Sequence, residues 1–213
     1  MKRTFVFGDI HGCHRSLIAL LDLAAPDMST DTLIFLGDYV NRGPDSRRVI
    51  DHLLALRRQS RRVITLMGNH EQMFLGFLQG EESEVFLRNG GEETLESYGI
   101  KKPLPTVPVG LFPPDHVAFV NDLMLYWEDD EYIFVHAGLQ PGVHLSQQSP
   151  AWLLWARDRF IHSNHDFGKR VIYGHTPFDQ PKVEDNKIGI DTGAVYGGKL
   201  SCLVLPEMRF ISV

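Results

Sequence analysis

The sequence predicts an α/β fold in which two mixed β-sheets pack as a sandwich with helices on the outside. Three observations lead to this fold class. The first half of the chain alternates short apolar runs with longer segments of helical periodicity, which is typical of parallel βαβ units. The second half is rich in hairpin patterns. The chain has 213 residues, is 43% hydrophobic and has no excess of Gly or Pro, so we expect a single folded domain over residues 1–213.

The first half contains three strand-and-helix units. Phe5–Phe7 reads as a short buried strand, and a helix is expected from His14 to Ala25 because its apolar residues recur at helical spacing. A second strand at 32–36 completes a right-handed βαβ unit. Ser46 is a candidate N-cap for the next helix. A third strand at 63–66 leads into a helix that packs Phe74, Phe77 and Leu78 into the core.

The second half has a different pattern. Residues 81–99 are expected to form one or two short helices with glycine stops, and the Pro-rich stretch 101–114 an irregular connection. Apolar runs at 123–127 and 132–135 flank an acidic turn, which predicts a hairpin. Pro150 marks a helix start. Later strands are predicted at 170–174, 187–191, 199–205 and 208–212. A parallel half followed by a hairpin-rich half predicts the two packed sheets.

Metal-binding residue types follow the first three strands. The three motifs are Gly8-Asp9-Ile10-His11-Gly12, Gly37-Asp38 and Gly68-Asn69-His70-Glu71. In an extended segment residues i and i+2 point to one side, so Asp9 and His11 are able to close on one ion. The carboxyl ends of parallel strands meet at one edge of a sheet. Because a carboxylate and an imidazole suit Mn, Fe or Zn, the motifs predict a metal site at that edge.

The motif set GDIHG, GDYVNRG and GNHE resembles the signature of the metal-dependent phosphoprotein phosphatases, which are calcineurin-like metallophosphoesterases. Val135–Leu139 and Tyr173–Pro177 strengthen the resemblance. Chain length and motif order look most similar to the bacterial and bacteriophage lambda type. The resemblance implies the same α/β sandwich, a phosphoric ester hydrolase, and two divalent metal ions as cofactors. Manganese is the first choice, with iron and zinc as alternatives.

Two neighbouring divalent ions are able to share one carboxylate and activate a water between them. Asp38 is the natural bridging ligand because it lies between the other two motifs in sequence and in strand order. The remaining ligands follow from the resemblance. They are Asp9 and His11 for the first ion, and Asn69, His136 and His175 for the second. The implied mechanism is in-line attack of metal-bound hydroxide on phosphorus, so no protein nucleophile is required.

Three further residues have expected roles in the reaction. His70 is expected to point away from the metals if Asn69 points towards them, which suits a general acid for the leaving alkoxide. Arg42 offers a planar fork that matches phosphate oxygens. Arg157 is a second phosphate-binding candidate by resemblance, and its alternative is an ordinary surface residue of a helix.

Asn41 departs from the family pattern. The protein phosphatases usually read GDxxDRG, and that Asp orients the general-acid His and stabilises its protonated form. Asn41 is able to accept a hydrogen bond but carries no charge, so a weaker imidazolium is expected. The symmetrical dinucleoside tetraphosphate hydrolases, which are similar, also lack Asp there. Glu71 and the short chain look more like the protein phosphatases.

The leading hypothesis is therefore a protein serine/threonine phosphatase whose substrate is a phosphorylated protein or peptide. The alternatives are a dinucleoside polyphosphate hydrolase acting on a nucleotide, and a weakly active protein that binds phosphorylated partners. A phosphopeptide and a dinucleoside tetraphosphate assayed side by side would separate the three.

Composition excludes other classes of partner. A net charge of −6 argues against a nucleic-acid groove. No apolar stretch approaches the roughly 20 residues of a membrane helix. The apolar run after Met1-Lys2-Arg3 is too short for a signal peptide. Cys13 and Cys202 lie far apart and are expected to be reduced thiols. The sequence thus predicts a cytoplasmic protein without nucleic-acid or membrane partners.

Overall fold

The computed structural model describes residues 2–81, 83–101 and 107–213, and ten strands within these ranges form two five-stranded sheets. The strands are β1 (Thr4–Phe7), β2 (Thr32–Phe35), β3 (Val63–Thr65), β4 (Tyr126–Glu128), β5 (Tyr132–Val135), β6 (Arg170–Tyr173), β7 (Lys182–Val183), β8 (Lys187–Gly189), β9 (Ser201–Leu205) and β10 (Arg209–Ser212). The strand orders are β10-β9-β1-β2-β3 and β4-β5-β6-β8-β7.

The α-helices connect these strands. They are α1 (His14–Ala24), α2 (Ser46–Gln59), α3 (Asn69–Leu78), α4 (Ser83–Phe86), α5 (Glu92–Ser97), α6 (Pro114–Asn121), α7 (Pro150–Trp155) and α8 (Asp158–Ile161). None of the helices in the described part of the chain combines the length and apolar character needed to cross a membrane.

Both sheets have a parallel centre with antiparallel strands at an edge. β1, β2 and β3 run parallel, and β9 and β10 extend the first sheet in antiparallel fashion. In the second sheet β5, β6 and β8 run parallel, and β4 and β7 are antiparallel edge strands. The two mixed sheets flanked by helices confirm the predicted fold class.

The core has three layers because successive strand residues point to opposite faces. Val6 belongs to a cluster that also contains Phe134 and Ile172 of the second sheet, so this cluster fills the space between the sheets. Phe5 and Phe7 point the other way, into the cluster under the helices of the first half. A third cluster lies on the helix-covered face of the second sheet. The alternation fixes the register of each strand and thereby the position of the residues at its end.

Four details differ from the sequence predictions. Ser46 does not cap α2, since its Oγ accepts the N–H of Asn41 at 3.1 Å instead. The two-residue strand β7 was too short to predict. Residues 102–106 of the predicted irregular connection lie outside the described residues, and its last residue, Pro114, begins α6. Helices α4 and α5 are joined by a π-helical turn with a kink at Gly90 (φ 87°). Both cysteines are free thiols, as expected.

Candidate metal centre and phosphate pocket

The predicted metal ligands come together at one edge of the sandwich. Each follows the carboxyl end of a parallel strand, where open α/β sheets build sites. The early strands β1, β2 and β3 lead to Asp9 and His11, Asp38, and Asn69, and the later strands β5 and β6 lead to His136 and His175. All six side chains are buried.

The backbone at this edge is unusually strained. Five site residues have positive φ angles, namely His11 (44°), Asp38 (53°), Asn41 (71°), Arg42 (70°) and His175 (63°). Within the described residues, Ala25 and Met208 are the other non-glycine residues of this kind. The left-handed region is unfavourable for such residues by roughly 1–2 kcal/mol each. Strain concentrated in one place is typical of a functional site.

Asp38 lies at the centre of the cluster. Its Oδ2 is 3.3 Å from His11 Nε2 and 3.9 Å from His70 Nε2, whereas its Oδ1 is 3.4 Å from His136 Nε2. Burial alone would raise the pKa of Asp38, but the positive charge that His136, His70 and His11 carry when protonated outweighs burial and holds that pKa well below its ordinary value. The two oxygens thus face different ligand sets, which is the arrangement a bridging carboxylate requires.

Two of the imidazoles are held in the orientation of metal ligands. His11 Nδ1–H donates to the carbonyl of Val40 at 3.0 Å, and His136 Nδ1–H donates to the carbonyl of Leu36 at 3.0 Å. Each Nε2 lone pair therefore faces the cluster. Metal-ligating histidines are commonly fixed in this way through the opposite ring nitrogen.

Two buried polar atoms in the cluster have no hydrogen-bond partner among the described residues: Asp9 Oδ1 and His175 Nε2. The other Asp9 oxygen accepts the N–H of His175 at 3.0 Å. Burial, together with the charges of Asp191 and Asp38, raises the pKa of Asp9 well above its ordinary value. Unpartnered donor atoms beside crowded carboxylates fit divalent cations, which would satisfy both.

Two overlapping groups of donor atoms could each hold an ion. One group is Asp38, His136 and His175, and Asn69 Oδ1 lies 3.0 Å from His136 Nε2 and 2.9 Å from His175 Nδ1. The other group is His11, Asp38 and His70, so that it contains His70 where the sequence prediction has Asp9.

His70 lies inside the cluster, although it was expected to point away from it. Its ring packs edge-on against that of His11 with 4.6 Å between centroids, and the main-chain N–H of His70 donates to Asp38 Oδ1 at 3.1 Å. The expectation used the alternation of a strand, but Asn69 and His70 form the first turn of α3. Both side chains reach the site because the helix begins there. Burial lowers the pKa of His70 to about 3, which favours the neutral imidazole.

Asn41 binds His70 as a donor. Its Nδ2 lies 2.9 Å from His70 Nδ1, and its Oδ1 accepts the hydroxyl proton of Thr94 at 2.8 Å. Thr94 Oγ1 in turn accepts the N–H of Asn41 at 2.8 Å and lies 3.1 Å from Ser46 Oγ. This network orients the amide so that His70 Nδ1 is an acceptor and its proton is on Nε2.

Glu71 supports the site in a way that the sequence analysis did not predict. Its Oε2 accepts the N–H groups of Asp38 (2.8 Å) and Gly68 (2.9 Å), and its Oε1 those of Tyr39 (2.7 Å) and Val40 (3.1 Å). Burial, with a contribution from Asp38, raises the pKa of Glu71 to about 7. The carboxylate ties the strained turn after β2 to the start of α3. Its position three residues after Gly68 is the capping-box signal that could have indicated this role.

A cavity of about 140 Å³ opens from the cluster to the surface. Both arginines predicted to bind phosphate, Arg42 and Arg157, line it. Arg42 Nη1 donates to His11 Nε2 at 2.5 Å, so its guanidinium reaches the cluster itself. Asp191, which the sequence analysis missed, also lines the cavity and is buried. It follows β8 as the predicted metal ligands follow their strands, and the apolar run Ile188–Ile190 before it is the same signal.

Comparisons with known proteins agree with this geometry. The family model described as calcineurin-like phosphoesterase matches residues 2–200. The bis(5'-nucleosyl)-tetraphosphatase PrpE [asymmetrical] of Bacillus cereus (strain Q1) is 28% identical over 238 residues, covering 98% of this chain and 92% of that protein. The protein of the same name from Anoxybacillus flavithermus is also 28% identical, with the same coverage.

Solved structures show the same fold. A candidate diadenosine tetraphosphatase matches with a TM-score of 0.77 at 24% identity, covering 100% of this chain and 93% of its own. A cold-active protein tyrosine phosphatase of a Shewanella species matches with a TM-score of 0.74 at 17% identity, covering 100% and 77%. A serine/threonine phosphatase of Saccharomyces cerevisiae has a TM-score of 0.68 at 17% identity, with coverage of 100% and 79%.

Proposed function

We propose, from the premise that this chain belongs to the calcineurin-like phosphoesterase family, that it hydrolyses phosphoanhydride bonds of nucleoside polyphosphates such as a dinucleoside tetraphosphate. The family makes it a metal-dependent phosphoric ester hydrolase. The observation that carries the choice of substrate is the hydrogen bond from Asn41 Nδ2 to His70 Nδ1. This hydrogen bond decides whether His70 is able to protonate a basic leaving group.

A leaving alkoxide from phosphoserine is strongly basic and needs a proton as the bond to phosphorus breaks. With Nδ1 occupied as an acceptor, His70 is a neutral imidazole, which is a far weaker acid than an imidazolium. A phosphate leaving group is a much weaker base than an alkoxide and departs without a proton. The pair Asn41 and His70 therefore suits an anhydride better than an alkyl ester.

The relatives support the same choice. The matched Bacillus and Anoxybacillus proteins are named as tetraphosphatases, and the chain covers nearly their whole length. These names specify asymmetrical cleavage, whereas the resemblance considered from the sequence was to the symmetrical hydrolases. The phosphatases among the matched structures are less than 25% identical and therefore support the fold alone.

Each site residue has a proposed role in one catalytic domain. Asp38 would be shared by two divalent ions, manganese being the first choice, and Asp9, His11, Asn69, His136 and His175 would complete their ligands. When bound, such ions would supply an activated water and Lewis-acid stabilisation of the phosphoryl oxygens. Arg42 and Arg157 orient the phosphate chain through charge-assisted hydrogen bonds. Asn41 holds the proton of His70 at Nε2, from which it is able to donate to a phosphate oxygen.

The test compares two variants on two substrates. Wild-type protein and Asn41→Asp are assayed with Mn²⁺ on a dinucleoside tetraphosphate and on a phosphoserine peptide. We expect the wild type to prefer the tetraphosphate. A carboxylate at position 41 stabilises the imidazolium, so Asn41→Asp should accelerate the peptide on the order of ten-fold and change the tetraphosphate rate little.

Other outcomes decide against the proposal. A wild-type preference for the phosphopeptide would make the chain a protein serine/threonine phosphatase, the leading hypothesis from sequence. Binding of the phosphopeptide without turnover of either substrate would instead indicate a phospho-partner binding protein.

A further inference from the structure

The cavity beside the metal centre accommodates only the phosphate end of a nucleotide. Its volume of about 140 Å³ is lined mainly by polar and charged side chains, including Asp38, His70 and Arg42. The nucleoside part of a substrate must therefore lie outside it, at the mouth. Tyr196 lines the mouth and is the most exposed large hydrophobic side chain of the described residues, at 62%.

One face of the Tyr196 ring contacts Arg42. The Cζ atom of Arg42 lies 5.3 Å from the ring centroid, in the geometry of a cation–π contact. The exposure of the residue means that the other face is open to solvent. Since Arg42 is the proposed phosphate-binding residue, the open aromatic face lies beside the place where the phosphate chain leaves the cavity.

The turn that carries Tyr196 is built from the site itself. Asp191 Oδ1 accepts the N–H of Gly193 at 2.9 Å, and the carbonyl of Gly193 accepts the N–H groups of Tyr196 (2.9 Å) and Gly198 (3.0 Å). Gly193 (φ 69°) and Gly197 (φ 88°) adopt left-handed conformations that few other residues tolerate. The backbone that carries the ring is thus held in position before any ligand binds, and the ring itself contacts Arg42. This order lowers the entropic cost of binding.

We infer that Tyr196 is the stacking platform for the nucleobase of the substrate. This inference rests on the proposed function, because a base is present only in a nucleotide substrate. An aromatic ring stacks on any base, as every base has a π-face. Tyr196 therefore contributes affinity for nucleotides as a class without selecting a particular base. Phosphotyrosine fits less well, since its ring is attached directly to the phosphate that the cavity encloses.

The experiment measures binding and kinetics together. ADP and inorganic pyrophosphate are titrated into metal-loaded wild type, Tyr196→Ala, Tyr196→Phe and the control Trp127→Ala, which removes a partly exposed aromatic of β4. Loss of a stacked base weakens binding about ten-fold. We expect that loss for ADP with Tyr196→Ala alone, with pyrophosphate unchanged and Tyr196→Phe close to wild type. With a dinucleoside tetraphosphate, Tyr196→Ala should raise KM and leave kcat unchanged, because stacking is equal in ground and transition states.

Three results would overturn the inference. If Tyr196→Ala binds ADP as tightly as wild type, Tyr196 is not the stacking platform. An equal loss for pyrophosphate means that Tyr196 acts by positioning Arg42. Weakened binding of a phosphotyrosine peptide with ADP unaffected assigns the ring to an aromatic amino acid. The proposed function fails separately: if wild type binds ADP through Tyr196 but does not hydrolyse the tetraphosphate, the platform stands and the anhydride activity does not.

Discussion

The two oxygens of Asp38 face two different environments. The inner side, next to Oδ1, consists of Asn69, His136 and His175, which lie against one another and are at most 6% exposed. The outer side, next to Oδ2, consists of His11, His70 and Arg42. Both sides reach the cavity, the inner side through Asn69 and His175 and the outer side through His70 and Arg42. One carboxylate thus joins two different groups of side chains.

The two sides differ in what holds them. On the inner side His136 is fixed by the main-chain carbonyl of Leu36, and on the outer side His11 is fixed in the same way by that of Val40; no substitution removes either carbonyl. On the outer side His70 is fixed by the side chain of Asn41, and Arg42 contacts the exposed ring of Tyr196. We infer that the inner side serves metal binding and that substitutions there are poorly tolerated. The outer side is where substrate preference is able to vary.

The largest expected effect comes from the residue that both sides share. Asp38→Asn should nearly abolish turnover and lower the metal content, because an amide is a poor bridging ligand. Turnover of a dinucleoside tetraphosphate and metal analysis of the purified protein measure this. Asp45→Asn, at the start of α2, is the matched control and should behave as wild type. Full activity of Asp38→Asn would contradict the two-metal arrangement.

Glu71→Gln should disturb both sides less severely. Glutamine keeps one acceptor oxygen, but an NH₂ group replaces the second carboxylate oxygen. The two main-chain N–H groups bound by that second oxygen lose their acceptor, because an NH₂ group only donates. Lost hydrogen bonds to a charged group are each worth about 1.5–3 kcal/mol, so the melting temperature should fall measurably. Activity should fall as well, because the turn that carries Asp38 loosens. Glu81→Gln, on the surface, is the control. An unchanged melting temperature would mean that the four hydrogen bonds do not hold the turn.

Arg42→Ala should affect the outer side alone. We expect metal content close to wild type and a KM for tetraphosphate raised roughly ten- to hundred-fold, equivalent to a charge-assisted contact of about 1.5–3 kcal/mol. The exposed Arg48 gives the control Arg48→Ala. A metal-free Arg42→Ala protein would show that Arg42 belongs to the scaffold of the metal site, and the division into two sides would fail.

The features that could be predicted from the sequence are those whose signal lies within a few neighbouring residues. The strands and the residues at their ends could be predicted, since a run such as Phe5–Phe7 before Gly8 and Asp9 carries its own pattern. The direction of the His70 side chain could not be predicted, because it depends on α3 beginning at Asn69.

The roles of Glu71 and Thr94 required the tertiary structure. Their partners lie about 30 and 53 residues away in the chain, at Asp38 to Val40 and at Asn41 respectively. Nothing in the pattern around either residue points to those partners, since the capping-box spacing at Glu71 indicates only its hydrogen bond to Gly68.

The smallest expected effect concerns the orientation of one amide on the outer side. Thr94 donates to Asn41 Oδ1 and thereby turns the Asn41 NH₂ group towards His70. Thr94→Val removes that donor, so the amide is no longer held and its oxygen becomes able to accept a hydrogen bond from a protonated His70 Nδ1–H. Hydrogen bonding to the charged form of a group favours that form, and the imidazolium is the better acid.

We therefore expect Thr94→Val to raise the rate on a phosphoserine peptide relative to the tetraphosphate, on the order of a few-fold and less than Asn41→Asp. Stability should fall by about 1–3 kcal/mol because a buried polar group loses its partner. Thr94→Ser keeps the hydroxyl and should match wild type in both respects. Metal content should not change in either variant, since the inner side is untouched. A Thr94→Val protein that loses metal while its substrate ratio stays constant would show that Thr94 supports the whole centre, and the orientation of Asn41 would then have no part in the choice of leaving group.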